Sequence, residues 1–291
     1  MKIMIAGADG QLGRCLQDRL RESDHQWVAY NRLKLDITDA ASVDTAVKKY
    51  KPEVIINAAA YTAVDKAESE RERAWAINAT ALDNLADAAN TLDALLIHVS
   101  TDYVFNGTAT KPYTESANLA PLGAYGASKL EGEKAAAQAR RHLIVRTAWV
   151  FSEYGNNFLK TMLRVGAERG ELKVVSDQIG TPTYAGDLAA ALLLMAGKSV
   201  PTGIYHFSGG LPCSWWEFAD AIFRCAQQEG IVSVPPKLTP ITTDEYPTPA
   251  KRPKYSVLDN SKLQSVLGTH TADWNNAISI VLRKLACREY S

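Results

Sequence analysis

Tyr125 and Lys129, in the run Tyr-Gly-Ala-Ser-Lys, stand four residues apart in a stretch of helical character. Side chains at i and i+4 share a helix face, so this spacing would hold a phenol and an ammonium within reach of each other. A free tyrosine titrates near ~10, and a neighbouring cation favours its phenolate. The pair is therefore suited to exchanging a proton with a reacting oxygen at neutral pH. Chemistry of that kind needs a scaffold that brings the pair to a bound ligand.

The order of elements supplies one. Lys2 to Ala6 reads as a strand, Gln11 to Arg21 as a helix with Leu12, Leu16 and Leu20 at helical spacing, and Gln26 to Tyr30 as a second strand. A helical stretch at Ala40 to Tyr50, a strand at Val54 to Asn57, a long helix through Glu68 to Asn90 and a strand at Ala94 to Ser100 follow. Continuous apolar strands alternating with helices predict an α/β fold, a Rossmann-like doubly wound parallel sheet covered on both faces. After the helix of Tyr125 and a strand at Leu143 to Arg146 the rhythm loosens, with helices at Asn157 to Glu168, Ala185 to Ala196, Trp215 to Gln228 and Asp273 to Cys287, and short strands at Lys173 to Val175 and Ile204 to Phe207. We therefore expect a dinucleotide-binding domain over 1–148 and a smaller mixed α/β substrate-binding domain over 149–291, with the helix at 185–196 packing back on the first. Val234 to Pro253 holds six of the 12 prolines, which suits either a linker or an ordered loop around a binding site.

Gly7, Gly10 and Gly13 lie between the first strand and the first helix. Glycine permits a tight turn and close backbone approach to a pyrophosphate, whose charge is met by free amides at the helix N-terminus. The G-x-x-G-x-x-G spacing departs from the usual fingerprint, but its place in the chain is that of a dinucleotide turn. The second strand ends in Tyr30-Asn31-Arg32 with no carboxylate for the ribose hydroxyls. Arg32 could instead meet a 2′-phosphate, which points to NADPH and leaves NADH admissible.

Composition narrows the partners. Lys plus Arg and Asp plus Glu number 32 each, so no global field draws the chain to nucleic acid or an anionic membrane. Cys15, Cys213, Cys225 and Cys287 have no paired spacing, and the five histidines complete no metal site. The apolar start is broken at Gly7 and Asp9, too soon for a signal-peptide core, and Leu188 to Ala196 is too short for a bilayer span. A cytoplasmic protein with reduced thiols is the expectation.

Several stretches carry a resemblance. The glycine turn, Asn-Ala-Ala-Ala at 57–60, Ser-Thr-Asp at 100–102 and Tyr125 with Lys129 resemble the extended short-chain dehydrogenase/reductase superfamily. Asn57 to Glu68, Ser100 to Phe105, Arg146 to Val150, Gly155 to Phe158, Gln178 to Thr183 and Arg252-Pro-x-x-Ser256 are similar, within it, to the dTDP-4-dehydrorhamnose reductases. The likeness runs through nearly the whole chain.

That resemblance implies NAD(P)H-dependent reduction of a dTDP-linked 4-ketosugar to dTDP-L-rhamnose for cell-surface polysaccharide. It implies Thr101, Tyr125 and Lys129 as the catalytic triad, and Gly10, Gln11 and Leu12 at the pyrophosphate. It also implies Asp36 and Ile37 beside the adenine, Ala60, Tyr61 and Thr62 along the cofactor, and Thr101, Asp102 and Trp149 facing the sugar. Asn157, Lys160, Arg164 and Arg252 are candidates for gripping the diphosphate, Arg252 foremost because a guanidinium pairs with phosphate through two hydrogen bonds. Taken singly, Thr101 reads as a cap, Lys129 as a solvated helix charge and Trp149 as core. Some members use Mg²⁺ on acidic side chains to bridge a dimer. Here the first helix has Arg14-Cys15 in place of a carboxylate, and Ala185-Gly186 precedes Asp187, which argues against a metal role and leaves a monomer and a metal-free homodimer equally admissible. A cofactor-binding regulatory subunit, like that of methionine adenosyltransferase, and an epimerase or reductase of another nucleotide sugar are the rival readings.

Overall fold

The structure, a computed structural model, describes residues 1–268 and 272–289. Strand β1 (Lys2–Ala6) turns into α1 (Gln11–Arg21), followed by β2 (Gln26–Tyr30), α2 (Ala40–Tyr50) and β3 (Val54–Asn57). Next come α3 (Arg71–Trp75), a π-helical turn at Ala76–Thr80, α4 (Ala81–Leu92), β4 (Leu95–Thr101), α5 (Ala124–Ala136) and β5 (His142–Thr147). The later chain forms β6 (Val150–Phe151), α6 (Phe158–Glu168), β7 (Glu171–Val175), β8 (Ile179–Gly180), β9 (Thr183–Tyr184), α7 (Ala185–Gly197) and β10 (Gly203–His206). It ends with β11 (Cys213–Ser214), α8 (Trp215–Gln228), β12 (Lys237–Ile241), α9 (Ser261–Leu267) and α10 (Trp274–Glu289).

Six strands form one parallel sheet in the order β10-β5-β4-β3-β1-β2. The inner strands carry near-continuous apolar runs because both faces are covered, with polar exceptions such as Asn57, His98 and Arg146. Ile3, Ile5, Val54, Ile56, Ile97 and Val145 face α1, α7 and α9, whereas Met4, Ile55, Leu96 and Ile144 face α2, α4 and α5. After β2 the chain crosses to the other side of β1 to lay down β3, so winding reverses between β1 and β3. Ligands of open α/β sheets bind beyond the carboxyl ends of the strands at such a reversal.

Helix α7 packs on this sheet through Leu188 and Leu192, but it does not come alone. Strand β10, grouped by sequence with the second half, is the sheet's edge strand beside β5, and Leu263 and Leu267 of α9 share its core. The remaining elements form a second body in which α6, α8 and α10 pack around Phe218, Ile222 and Val281. There Ser214 and Glu217 close a capping box at the start of α8. The proline-rich stretch is ordered, with β12 pairing in parallel to β7.

The long helix expected over Glu68 to Asn90 is interrupted. Asn78 is the cause, sitting buried in the π-helical turn with its side-chain amide bonded to both backbone groups of Tyr61, accepting from N–H at 2.8 Å and donating to C=O at 3.0 Å. Such bulges re-aim side chains and cluster at functional sites. This one clamps the segment that follows β3.

Candidate active site

The winding reversal opens into a cleft of about 410 Å³ lined by Gly7, Gly10, Arg32, Asp36, Ile37 and the run Ala58 to Ala63, among others. Gly7 has φ of +90°, and a Cβ there would stand 2.6 Å from Ala59 N. A Cβ on Gly13 would lie 2.1 Å from Gly7 O, so this glycine lets α1 press against the turn. Gly10 differs, since its added Cβ would meet only Gly7 O, at 3.5 Å. Its bareness leaves the cleft side of the turn open. No acidic residue occupies the first turn of α1, and its first helical hydrogen bond runs from Arg14 N–H to Gly10 O. The amides of Gln11, Leu12 and Gly13 thus precede the helical ladder, and they fit a diphosphate. Leu12 contributes by backbone alone because its side chain is in the core.

At the far end, Ile37 is buried and the Asp36 carboxylate accepts from Thr38 N–H at 3.0 Å and Thr38 Oγ1 at 2.7 Å. The Thr38 hydroxyl bond holds the Asp36 carboxyl below its usual range. Arg32 reaches Asp36 only at 3.8 Å and keeps 66% of its side chain exposed, so its guanidinium is available at the rim. Tyr61 is buried under the guanidinium of Arg73, 5.6 Å from the ring centroid.

Thr101 ends β4, and Tyr125 and Lys129 lie on successive turns of α5. Helix α5 is set close to the β4 loop because Gly126 has no side chain: a Cβ would fall 2.2 Å from Tyr103 O. Its first amide, Ala124 N–H, donates to Glu68 Oε1 at 2.7 Å, a carboxylate at the positive end of the helix. Tyr125, packed with Tyr61, is part-buried, and burial pushes its phenol up to about 12 while a hydrogen bond with the Thr101 side chain pulls it down. Lys129 is 2% exposed and donates from Nζ to Val99 O at 2.6 Å. Burial lowers its ammonium to about 8, opposed by the charge of Glu133. Glu133 is itself held by a bidentate pair with Arg146, at 2.9 and 2.7 Å, and by Ser100 at 2.6 Å.

The residues expected to face substrate are drawn together less simply. Asp102 is buried beside Thr101, whose Oγ1 donates to it at 3.0 Å, and burial raises its carboxyl to about 6. Trp149 adopts a left-handed backbone with φ of 47°, an uncommon state for a bulky residue and of a kind found at binding sites. Its ring stacks on Trp215 with centroids 3.4 Å apart and planes 6° apart. The Arg252 guanidinium lies in a two-pronged pair with Asp65, at 3.1 and 2.8 Å, which joins the proline-rich stretch to the segment after β3. Asn157 caps α6, accepting from Lys160 N–H at 3.1 Å, while its Nδ2 donates to Gln11 Oε1 at 2.8 Å and Ser152 O at 2.7 Å. The structure thus gives Asn157 and Gln11 a joint between the two bodies. Arg164 pairs with Glu168 on the exposed face of α6.

Sequence reading missed Asn31 and Arg73 in the cleft wall, Asn78 as the clamp on Tyr61, and Trp215 as the partner of Trp149. Only Asn78, a polar residue in an alanine-rich helical run, carried a signal. Among the described residues no cluster of His, Cys, Asp or Glu is arranged to hold a metal ion, and no helix is long and apolar enough to cross a membrane.

Comparison with known proteins places this geometry. The family model described as the RmlD substrate binding domain matches residues 1–287. The dTDP-4-dehydrorhamnose reductase of Aggregatibacter actinomycetemcomitans is 44% identical over 284 residues, covering 95% of this chain and 97% of that protein. A dTDP-4-dehydrorhamnose reductase crystal structure from Clostridium acetobutylicum superposes with a TM-score of 0.92 at 44% identity, covering 98% of this chain and 100% of that one. The enzyme of that name from Bacillus anthracis, solved in complex with NADP, gives a TM-score of 0.92 at 39% identity, covering 97% and 99%.

Proposed function

We propose, from the premise that this chain belongs to the RmlD substrate binding domain family, that it is a dTDP-4-dehydrorhamnose reductase. It reduces the sugar ketone of dTDP-4-dehydro-L-rhamnose to dTDP-L-rhamnose with a nicotinamide cofactor, and NADPH is the preferred form. One observation carries this reading: Tyr125 packs against Tyr61 of the cleft wall, with Thr101 at the end of β4 and Lys129 buried one turn further along α5.

A dihydronicotinamide, held by the Gly10, Gln11 and Leu12 amides and the run Ala60 to Thr62, would supply hydride when bound. The chain's own groups manage the oxygen. As the C=O bond gives way, charge grows on the carbonyl oxygen, and Tyr125 donates its proton there to leave an alcohol and a phenolate. Thr101, on turning its hydroxyl from Asp102 to that oxygen, would polarise the ketone and fix which face is attacked. Lys129 stabilises the phenolate when charged, and orients the nicotinamide ribose. Asp102 and Trp149 would contact the sugar, the indole offering an apolar wall with an N–H at its edge. Arg252 would bind the diphosphate after exchanging Asp65 for phosphate oxygens. A cytoplasmic location completes the proposal.

The rival of a non-catalytic binding subunit is disfavoured because Thr101, Tyr125 and Lys129, the triad that the resemblance implies, are all present. Incubation with NADPH and the dTDP-ketosugar, following cofactor absorbance, tests the proposal. Loss of absorbance stoichiometric with rhamnose formation is expected, and cofactor binding without turnover would overturn it.

A further inference from the structure

His98 sits on β4 directly beneath Lys129, fully buried, with Nε2 3.3 Å from Lys129 Nζ and Nδ1 3.2 Å from the side-chain nitrogen of Asn57. Hydrogen positions follow from what each partner is able to do. The Asn57 amide is oriented by Ala59, whose backbone N–H can only donate and does so to Asn57 Oδ1 at 3.1 Å. Nδ2 of Asn57 therefore faces His98, and an amide NH₂ is a donor only. It follows that His98 Nδ1 accepts and bears no proton. A neutral imidazole then carries its proton on Nε2, aimed at Nζ. An ammonium has no lone pair to receive that proton; an amine has one.

We propose that His98 is a positioning residue for the reductase chemistry, locked by Asn57 as the Nε2–H tautomer so that it donates to Lys129 and favours the neutral amine over the ammonium. The inference rests on the assignment of Lys129 to the active site. Burial independently keeps His98 neutral, holding it well below its ordinary value, and brings Lys129 down to about 8. A donor facing Nζ acts in the same direction as burial, against the ammonium. The other ionisable groups around Lys129 do not cancel this. Tyr125 stands one turn earlier on the same helix, and the Glu133 charge is shared with Arg146 of β5 and Ser100 of β4.

The lock also links Lys129 to the cofactor cleft. For Nζ to become an ammonium in good geometry, the His98 proton must pass from Nε2 to Nδ1 and the Asn57 amide must turn over, which breaks its bond to Ala59 N–H. Ala59 lines the cleft and packs against Gly7. The charge on the lysine and the backbone at the glycine turn are thus two ends of one hydrogen-bonded chain.

Two measurements test this. In wild-type protein, ¹⁵N shifts of the His98 ring, assigned through the Asn57 side-chain amide, should show Nε2 protonated and Nδ1 bare near neutral pH; a proton on Nδ1 overturns the proposal whether or not the protein turns over sugar. In His98→Gln, the side-chain amide can present its oxygen to Nζ and accept from the ammonium. The alkaline limb of kcat/KM should then move up by about one pH unit. A uniform drop in rate with the limb unmoved would assign His98 a purely structural part and overturn the proposal. Absence of reductase activity in wild-type protein would instead count against the assigned reaction, with the ring shifts still deciding the tautomer.

Discussion

The cleft from Gly7 to Tyr61 is walled by backbone and by a segment clamped by Asn78, whereas Trp149 and Arg252, the proposed substrate contacts, are side chains already engaged with partners of their own. The first region is fixed by sheet packing, by a glycine turn with no room for a Cβ at Gly7 or Gly13, and by a buried amide. The second is held by an indole stack and an ion pair only 23% and 39% exposed on its two sides. A site made of backbone is preorganised and loses little on binding. A site made of paired side chains must exchange partners, which costs affinity but lets the pairing respond to the ligand.

The largest effect should come where the two regions meet. Tyr125→Phe keeps the ring packed against Tyr61 and removes only the hydroxyl. Turnover should fall ~10²-fold or more with NADPH affinity largely intact. Steady-state rates beside a cofactor titration check this, and near-normal turnover would remove Tyr125 from the chemistry. Within the first region, Arg32→Ala tests whether anything but backbone matters for the cofactor. The exposed guanidinium should be worth roughly ten-fold in NADPH affinity through charge-assisted bonds, with NADH little affected. Equal losses for both cofactors would show that Arg32 does not read the 2′-phosphate.

Legibility divides along the same line. Helices α1, α2 and α8 and strand β3 fall on the residues expected from apolar spacing, because each buries one face or both against its own sheet or bundle. The glycine turn and the Tyr125–Lys129 face were readable for the same reason: their partners are close in sequence or dictated by topology. The π-helical turn was not, since its stabilisation comes from Tyr61, 17 residues away, and not from local propensity. Strand β10 reads as a short strand in either body, and only pairing with β5 places it. The Arg252–Asp65 pair spans 187 positions, and the Asn157–Gln11 bond spans 146. Neither partner could be read from the sequence, because a polar side chain shows its hydrogen-bonding capacity without naming a group so far along the chain.

Asp102, at the edge of the second region, gives a pH-dependent contrast. Its carboxyl is raised to about 6 by burial, so the folded chain holds a proton there that the unfolded chain releases at lower pH. Native protein binds more protons between the two values, and stability contributed by this group falls as pH rises through about 6. Asp102→Asn, which never ionises, should therefore raise the melting temperature at about pH 7.5 and leave it nearly unchanged at about pH 4. An equal gain at both values would mean that the amide stabilises by hydrogen bonding and not by removing a buried charge.

The smallest expected change bears most directly on the exchange of partners. Asp65 is held below its ordinary carboxylate range chiefly by its hydrogen bond with Arg252, and it shares that guanidinium with Thr248 and the carbonyl of Ala250. If a diphosphate must displace this carboxylate, Asp65→Asn keeps the shape of the pair, weakens its grip and lowers the cost of exchange. A part-exposed ion pair contributes up to about 1 kcal/mol, so affinity for dTDP should tighten by at most ~5-fold, measured calorimetrically. Weaker binding would reverse the interpretation, since it would mean that Asp65 holds Arg252 in the orientation the phosphate needs. The second region would then be as preorganised as the first, with side chains doing what backbone does at the glycine turn.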